Sequence, residues 1–420
     1  MPDVRELSSL IDGEPVDAGD EPVELTDPAH LDTVVSRVRF GDAGTFALAA
    51  ERADAAQAAW AAVPAPVRGV AIHDLGRIIA ANKEALARII TREVGKPYAE
   101  SLGEVQEAID TCIFFASEGR RLYGMTVPSE MPDKQLFTYR TPVGTMAIIT
   151  AGNFPMAVPS WYIVPALVAG NAIVWKPAEY APAIAEAFHR CMRAAGIPDG
   201  VVQLVLTDGP QTSEGLERAL IAGHLDKVGF TGSSEVGRSI ATLCGEHLVA
   251  PTLELGGKNP LVVMPDADLD LAVEGALFSG FGTAGQRCTS LGIVAVHESI
   301  HGDFLDRFAK AVGQAAVGDP MMGVLYGPMI SAKFARGFEG WLDHIQPHHT
   351  VLGSSATGPA SSPGSGPCCD MAAGWWTAPS WPRHTAPSAV PAPSKWPASQ
   401  PPSRPRPNCA ARHSSRGRPS

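Results

Sequence analysis

One cysteine lies where a nucleophile could be presented to a substrate. Cys288 belongs to the segment FGTAGQRCTS, residues 281–290, in which Gly282 and Gly285 permit tight backbone turns close to a ligand. A thiol in such a loop can be exposed and activated for nucleophilic attack. Taken alone, a single cysteine is more often a small core residue than a nucleophile, so its role depends on the residues that accompany it.

Two further residues could assist such a nucleophile. Glu254 lies in LELGGK, residues 253–258, an apolar strand that ends in two glycines. It is either a paired structural carboxylate or a general base whose pKa an apolar setting would raise. Asn153 lies in TAGNFP, residues 150–155, and is either a turn residue or an amide donor that could stabilise an oxyanion.

Two other segments could bind a nucleotide. Lys176 and Glu179 follow a strand rich in Val and Ile. At the carboxyl edge of a parallel sheet this pair could bind ribose hydroxyls, although a lysine at a strand end is usually just solvated. The segment FTGSSEVG, residues 230–237, joins a strand to a helix. Thr231 or Ser233 can cap that helix, so its N-terminus is either an anion site or an ordinary helix start.

The segments that must position these residues alternate between strand and helix periodicity. Helices are predicted first, at 43–61, 67–94 and 98–119. Strands at 143–150, 172–175, 201–206 and 227–230 then alternate with helices at 181–195, 213–222 and 235–244. Two strand-like pieces within 253–264, a helix at 269–280, a strand at 293–296 and a helix at 300–312 follow. This alternation predicts an α/β fold with a parallel sheet and crossover helices.

Composition excludes several classes of function. The chain has 420 residues, of which 45% are hydrophobic, and its net charge of -11 argues against nucleic acid or an anionic membrane as a partner. The apolar stretch 146–175 is interrupted by Asn and Pro, which favours a buried strand–loop–helix–strand over a membrane span. No basic and apolar leader begins the chain, and the 7 cysteines show no disulfide spacing, so reduced cytoplasmic thiols are expected. No metal site is predicted.

Together the motifs point to one family. In this order along the chain, NFP, KPAE, FTGS, ELGGK and GQRCT resemble the signature segments of the NAD(P)-dependent aldehyde dehydrogenase superfamily. The step of 34 residues from Glu254 to Cys288 fits that family as well. The resemblance runs from about residue 10 to about residue 344 and includes EVGKP at 93–97 and LYGP at 325–328.

The resemblance implies a role for each candidate. Cys288 would attack the aldehyde carbon to give a thiohemiacetal, and the Asn153 side chain with the Cys288 backbone N–H would hold the oxyanion. A hydride would then pass to the nicotinamide, and Glu254 would activate the water that hydrolyses the thioester. Through a covalent intermediate, oxidation and hydrolysis become two separate steps.

The same resemblance assigns a cofactor site. Lys176 and Glu179 would bind the adenosine ribose, and the Glu179 carboxylate would favour NAD over NADP because it repels an additional phosphate. The remaining expected cofactor residues are Phe230, Gly232, Ser233 and Val236 toward the pyrophosphate and adenine, and Leu255 and Gly256 near the nicotinamide.

The resemblance also implies a domain organisation. It comprises a discontinuous Rossmann-type cofactor domain (1–121 and 147–256), a bridging hairpin (122–146), and an incomplete α/β catalytic domain (257–348). The hairpin would join the subunits of a homo-oligomer. The segments FGTAGQRCT and VLYGP look most like the alpha-aminoadipic semialdehyde (piperideine-6-carboxylate) dehydrogenase branch, which makes a semialdehyde the expected substrate.

The chain departs from the family pattern near its end. The family expects a later Glu-x-Phe-Gly-Pro segment whose Glu binds the nicotinamide ribose, whereas no Glu occurs after Glu339. Residues 349–420 are rich in Pro, Ser, Ala and Arg, which predicts a disordered tail. A change of reading frame between about residues 344 and 355 would account for this composition.

An incomplete catalytic domain has a functional consequence. One face of the cleft would be open to water, so weak or absent activity is expected. Two other functions stay open: a non-catalytic NAD-binding remnant, and a thiol hydrolase that uses Cys288. The hydrolase needs a histidine beside the thiol, and the nearest ones downstream, His297 and His301, are not in the loop.

Overall fold

The structure, a computed structural model, describes residues 4–16, 21–347, 349–354 and 374–377. The helices are α1 (Ala43–Ala62), α2 (Ala65–Ala81), α3 (Lys83–Val94), α4 (Tyr98–Ala116), α5 (Ala157–Ala169), α6 (Pro182–Ala194), α7 (Gly209–Ile221), α8 (Ser234–Glu246), α9 (Leu269–Phe281), α10 (His301–Gln314) and α11 (Ala332–Leu342). The strands are β1 (Arg5–Leu7), β2 (Leu10–Ile11), β3 (Glu14–Pro15), β4 (Val23–Asp27), β5 (His30–Val38), β6 (Thr126–Val127), β7 (Leu136–Phe137), β8 (Thr145–Ile149), β9 (Ala172–Lys176), β10 (Val202–Leu204), β11 (Lys227–Gly232), β12 (Pro251–Leu255), β13 (Asn259–Val263), β14 (Leu291–Val296), β15 (Thr350–Ser354) and β16 (Gly374–Thr377).

The central sheet carries the predicted alternation of strand and helix. Its strands lie in the order β12-β11-β8-β9-β10-β2-β3, and the first five run parallel. Every residue of β8 and β9 is buried, as expected for parallel strands with helices on both faces. The predicted α/β fold with a parallel sheet is therefore confirmed.

The apolar stretch at 146–175 forms part of this sheet. It supplies β8, the helix α5 and β9, and it is buried over most of its length. Within the part of the chain that the structure describes, no helix is both long and apolar enough to cross a lipid bilayer.

Local structure differs from the sequence expectation in two places. The single helix predicted at 67–94 is two helices, α2 and α3, which meet at Asn82 with φ -112° and ψ 14°. Asn readily takes capping conformations because its amide bonds to nearby backbone, and here its Nδ2 donates to the carbonyl of Ile78 at 2.8 Å. The sheet β1-β5-β4 was not among the predicted elements, because β5 is half exposed and its residues show no clean alternation.

The buried apolar residues of the described chain form three clusters. Two lie on opposite faces of the central sheet, and the third lies in the region after residue 257. On one face Trp175 meets Phe188 edge to face at 5.7 Å, and on the other Phe46 is fully buried. The third cluster lies in the region predicted to be the catalytic domain, where Phe304 stacks on Phe308 at 5.7 Å. Aromatic pairs of this kind add to the burial of apolar area that holds each unit together.

The region after residue 257 is covered on one face only. β13 and β14 pair in parallel, and alternate residues along both strands are exposed. Val262 is 62% exposed and Ile293 is 54% exposed. Among the described residues this two-stranded sheet packs against α9 and α10, and nothing covers its other face.

A short hairpin lies between α4 and β8, where a bridging hairpin is predicted. β6 and β7 pair antiparallel, and the residues around them are largely exposed, with Tyr139 at 79% and Tyr123 at 67%. The central sheet includes Thr145, two residues before the predicted domain start at 147, because Thr145 and Met146 already pair with β9.

The range predicted to be a disordered tail is described only in part. β15 and β16 pair antiparallel within it. The rest of 349–420 lies outside the described residues, whereas most of the segment in which a change of reading frame is predicted, 344–355, lies within them.

A buried carboxylate caps a helix that lacks a cap of its own. The residue before α6 is Ala181, which offers no side-chain oxygen. Glu93 of α3 instead accepts the N–H groups of Ala183 at 2.6 Å and Ile184 at 2.9 Å. Burial raises the pKa of Glu93 to about 8, although the two hydrogen bonds oppose this increase.

This raised pKa predicts a pH dependence of stability. A glutamate whose pKa is higher in the folded than in the unfolded protein binds more protons when folded. The contribution of Glu93 to the free energy of unfolding is therefore complete below the pKa that it has in the unfolded protein. This contribution is lost as the pH rises toward about 8. We expect the free energy of unfolding to fall with pH in this window by up to about 1.4 kcal/mol per unit, and Glu93→Gln to remove that slope.

Urea unfolding at several pH values measures this difference. Glu84→Gln, which alters an exposed glutamate on the same helix, should keep the wild-type slope. Equal slopes for wild type and Glu93→Gln would contradict the assignment.

Candidate active site

The predicted cofactor residues gather along one edge of the central sheet. Lys176, Gly232 and Leu255 are the last residues of β9, β11 and β12. Because these strands are parallel and in register, with Ile149 opposite both Lys176 and Phe230, their carboxyl ends meet at the same edge. Ligands of open α/β sheets bind in the crevice at this edge.

Lys176 and Glu179 form the pair that the sequence suggests. The Lys176 Nζ lies 3.1 Å from the Glu179 Oε1, and the lysine side chain is 7% exposed whereas the glutamate is 33% exposed. A lysine that is merely solvated would be far more exposed. The pair thus places one donor and one acceptor at the edge of the sheet, which suits the vicinal hydroxyls of a ribose.

The start of α8 is capped by one of the two predicted residues. Ser233 accepts the N–H of Val236 at 3.2 Å, whereas the hydroxyl of Thr231 lies 3.0 Å from the Tyr162 hydroxyl. Val236 is 47% exposed in the first turn of the helix. The remaining N–H groups of that turn can bind an anion.

Two glycines near this edge have neighbouring side chains packed close to their backbone. A Cβ added to Gly232 would lie 2.4 Å from the Phe230 ring, and one added to Gly237 would lie 2.6 Å from the Leu255 side chain. Gly256, in contrast, has open space around it. A side chain at position 232 would therefore have to displace the Phe230 ring.

The loop before Cys288 is strained. After α9 the chain makes a short turn in which Thr283 (φ 52°) and Ala284 (φ 54°) adopt left-handed conformations, followed by Gly285 at φ 71°. Left-handed backbone costs a residue with a Cβ on the order of 1–2 kcal/mol, so other contacts must hold this turn. The Cys288 side chain beyond it is exposed, and the Cys288 carbonyl accepts the Asn259 amide at 2.9 Å.

Asn153 lies beside the cysteine loop. Its Nδ2 donates to the carbonyl of Gln286, two residues before Cys288, at 2.8 Å. A primary amide carries two N–H donors, so this bond leaves a second one. The structure therefore brings the predicted oxyanion donor and the predicted nucleophile segment together.

Glu254 is not in the apolar setting that the sequence predicts, and this expectation is wrong. β12 is the edge strand of the sheet, and its side chains alternate between half-buried and exposed, with Glu254 exposed. The chain then turns toward the cysteine loop, since a Cβ on Gly257 would lie 3.8 Å from the Cys288 carbonyl oxygen. Burial raises the pKa of Tyr162, and the Glu254 carboxylate adds to the increase.

Sequence reasoning missed the residues that hold these loops. Glu104 of α4 accepts the N–H groups of Met156 at 2.8 Å and Ala157 at 3.1 Å, immediately after the Asn153 segment. The same carboxylate forms a fully buried ion pair with Lys96, whose Nζ lies 3.5 Å from the Phe154 ring centre. The EVGKP segment was a signal, but its sequence does not show that Lys96 is buried.

A second missed group reaches the cysteine loop itself. Glu100, one helical turn before Glu104, accepts the Thr283 N–H at 3.0 Å and pairs with Arg287. Gln286 in turn accepts the N–H of Ile330 at 3.2 Å. These contacts join α4 and the segment after residue 320 to the loop that carries Cys288.

The two additional segments of the sequence resemblance contact each other. Gly95 adopts φ +72°, and a Cβ on Gly327 would lie 2.3 Å from the Gly95 carbonyl oxygen. Pro328 packs on Gly95 from the same side, since a Cβ on Gly95 would lie 2.9 Å from the proline ring. Glycine is required at position 327 by its contact with the Gly95 carbonyl, and it is favoured at position 95 by the left-handed backbone. Across the described residues no group of three or more His, Cys, Asp and Glu could hold a metal ion.

Comparison with known proteins places this arrangement in a family. A model of the aldehyde dehydrogenase family matches residues 16–364. The chain is 38% identical over 328 residues to the succinate-semialdehyde dehydrogenase [NADP(+)] of Escherichia coli, covering 77% of this chain and 67% of that protein. It is 35% identical over 317 residues to the alpha-aminoadipic semialdehyde dehydrogenase of Bos taurus, covering 74% and 58%.

The fold has solved counterparts. The crystal structure of Staphylococcus aureus betaine aldehyde dehydrogenase in complex with NAD+ matches with a TM-score of 0.79 and 29% identity, covering 83% of this chain and 69% of that one. The family match covers most of the chain, and the relatives exceed 30% identity. The chain belongs to the aldehyde dehydrogenase family.

Proposed function

We propose that the chain oxidises an aldehyde, specifically a semialdehyde, to the carboxylic acid with NAD as the acceptor. The observation that carries this proposal is the Asn153–Gln286 hydrogen bond, which sets an amide donor beside the Cys288 loop at the edge of the nucleotide-type sheet. The semialdehyde dehydrogenases among the relatives support this substrate class. The chain spans 58% to 67% of the length of these relatives, so the activity of the whole enzyme is part of the proposal.

The chemistry of the edge suits a dinucleotide. Lys176 and Glu179 offer a donor and an acceptor for a ribose, and the N-terminus of α8 behind Ser233 offers N–H groups for phosphate oxygens. Phe230, Leu255 and Gly256 complete the proposed site. When bound, NAD supplies the oxidising power by accepting a hydride at its nicotinamide ring.

The residues of the chain would carry the remaining chemistry. The exposed Cys288 thiol gives its proton to solvent water, and the thiolate adds to the aldehyde carbon. An Asn153 N–H with the Cys288 backbone N–H stabilises the oxyanion that forms. Loss of a hydride from that carbon leaves a thioester on Cys288. Glu254 takes a proton from water, the resulting hydroxide adds to the thioester, and the thiolate leaves with release of the acid.

Exposure limits the rate that this arrangement can reach. The Cys288 and Glu254 side chains are both exposed among the described residues. Oxyanion stabilisation and a raised base pKa both depend on exclusion of water. We therefore propose slow turnover of the aldehyde.

We also propose a cytoplasmic location. The free thiols of Cys112, Cys191 and Cys244, all buried, support it, because thiols stay reduced in that compartment.

The cofactor preference and the assembly are further parts of the proposal. The partly exposed Glu179 carboxylate supports NAD over NADP, since it would repel a phosphate on the ribose that it binds. The exposed apolar side chains of the hairpin, Phe137 (51%) and Tyr139 (79%) among them, support a homo-oligomer, because apolar patches of this kind mark protein contacts.

Turnover of semialdehydes tests the mechanism. We expect the purified chain to reduce NAD with aminoadipate, glutarate or succinate semialdehyde, with aminoadipate semialdehyde preferred. Cys288→Ser should lower kcat by at least about 1000-fold. Glu254→Gln should still reduce NAD in the first turnover but lose about 100-fold in steady-state rate, because hydrolysis then lacks its base.

Two matched variants serve as controls. Cys191→Ala removes a buried thiol and Glu246→Gln an exposed carboxylate of α8, and both should keep the wild-type rate.

NAD binding without turnover would replace the proposal with a non-catalytic remnant. Ester hydrolysis in the absence of NAD that depends on Cys288 would replace it with a thiol hydrolase.

Glu179→Gln tests the cofactor preference. Removing the negative charge should raise the kcat/KM ratio for NADP over NAD by about 10-fold, equivalent to about 1.4 kcal/mol. Initial rates with each cofactor measure this ratio. Glu214→Gln, which alters an exposed glutamate of α7, should leave the ratio unchanged, and an unchanged ratio in Glu179→Gln would refute the role of Glu179.

Charge on the hairpin tests the assembly. We expect Phe137→Asp to lower the molar mass in light scattering from that of an oligomer to that of a single chain, because it places a carboxylate in an apolar contact. Ile221→Asp, at a 68% exposed position at the end of α7, should leave the mass unchanged. A wild-type protein that is already a single chain would contradict the proposal.

A further inference from the structure

The turn that precedes Cys288 needs an external support. Thr283 and Ala284 hold left-handed conformations without being glycine, and they lie five and four residues before the cysteine. Such conformations persist only where the surrounding structure enforces them. Within the loop, the Gln286 N–H and Nε2 donate to the Thr283 carbonyl at 3.0 and 3.1 Å, and the Ser290 hydroxyl donates to the Gly285 carbonyl at 3.0 Å. The acceptor of the Thr283 N–H, in contrast, comes from outside the loop.

Glu100 of α4 supplies that support from outside the loop. Its carboxylate accepts the Thr283 N–H at 3.0 Å and the Thr283 hydroxyl at 2.5 Å, and it forms an ion pair with the Arg287 guanidinium. The Arg287 Nε also donates to the Thr283 hydroxyl at 3.3 Å, so the three side chains form a closed group. The Glu100 carboxylate therefore binds Thr283 at the beginning of the turn and Arg287 at its end.

This group is shielded from solvent. The Glu100 side chain is 12% exposed and that of Arg287 is 13% exposed, and the Arg287 guanidinium lies 4.8 Å from the Phe278 ring centre. Charge-assisted hydrogen bonds that are shielded in this way are shorter and more directional than surface ion pairs. They can hold a backbone in a conformation that it would otherwise leave.

The position of the group connects it to the nucleophile. Arg287 directly precedes Cys288, so the ion pair fixes the residue next to the thiol. One helical turn further along α4, Glu104 binds the N–H groups of Met156 and Ala157 after the Asn153 segment. The helix α4 thus sets the distance between the cysteine loop and the amide donor.

We propose that Glu100 is a positioning residue that holds Cys288 in register with Asn153 through Arg287 and Thr283. This inference rests on the proposed function, in which Cys288 is the nucleophile. Glu100 contacts the loop and not the reacting atoms, so its removal should disturb the order of the loop and only through that the reaction.

Hydrogen exchange in the loop provides the direct test. In Glu100→Gln the amides of residues 282–290 should exchange at least about 10-fold faster, while those of β8 and β9 keep their wild-type rates. The variant should lose about 100-fold in kcat/KM for the aldehyde with an unchanged KM for NAD, as expected for a misplaced nucleophile. Asp110→Asn, an exposed carboxylate change on the same helix, should have neither effect.

A double-mutant cycle decides whether Glu100 acts through Arg287. If it does, Glu100→Gln combined with Arg287→Met should exchange no faster in the loop than the faster single variant. Thr283→Val removes only the hydroxyl contact and should give a smaller increase in loop exchange, which keeps the test open if a charge variant fails to fold.

Three results would overturn the proposal. They are wild-type loop exchange in Glu100→Gln, additive effects in the cycle, and faster exchange spread evenly through the central sheet. If the wild-type chain showed no turnover at all, the proposed function would fail, whereas the exchange measurements would still decide whether Glu100 holds the loop.

Discussion

The geometry of the candidate site depends on a carboxylate buried between helices. Glu104 accepts two N–H groups at the start of α5 and pairs with Lys96, and the side chains of both residues are inaccessible to solvent. A buried carboxylate is costly unless its charge is paired and its oxygens are hydrogen-bonded, and here both conditions are met. The path of the chain from Asn153 into α5 is therefore tied to α4 and to the EVGKP segment.

The same helix reaches the other half of the site. Glu100 and Glu104 are four residues apart on α4, so they lie on one face of the helix, and each binds a different loop. One loop comes from the central sheet and the other from the region after residue 257. Because both loops bind the same rigid helix, the position of the Asn153 amide is fixed relative to that of the Cys288 thiol. Loops alone would not fix it.

The two halves of the site differ in how well they are enclosed. The sheet edge with Lys176 and Gly232 lies against strands that are buried on both faces. The side with Glu254, Cys288 and β13 is exposed among the described residues, and the chain spans 58% to 67% of the length of the relatives compared above. In the proposed function, a dinucleotide would bind chiefly at the first half, whereas turnover would require that water be excluded from the second.

The sequence alone determined the family of the chain. Five segments in a fixed order, with 34 residues from Glu254 to Cys288, were enough to indicate the family, and the alternation of apolar periods was enough to predict the parallel sheet. Both kinds of signal are local, because a motif or a period can be read within a few neighbouring residues. The hydrogen bond that brings Asn153 to the cysteine loop, in contrast, joins residues 133 positions apart.

Only the tertiary structure decided how the residues are held and exposed. Glu254 is exposed because it lies on the face of β12 opposite the half-buried Leu253 and Leu255, and the sequence around it does not show that this face is left uncovered by the described residues. Ser233 rather than Thr231 caps α8 because the helix begins at Ser234, while Thr231 still belongs to β11 and its hydroxyl lies 3.0 Å from that of Tyr162. The support of Cys288 by Glu100 depends likewise on a contact across 187 residues, and the energy of such a contact is set by burial and geometry that exist only in the folded chain.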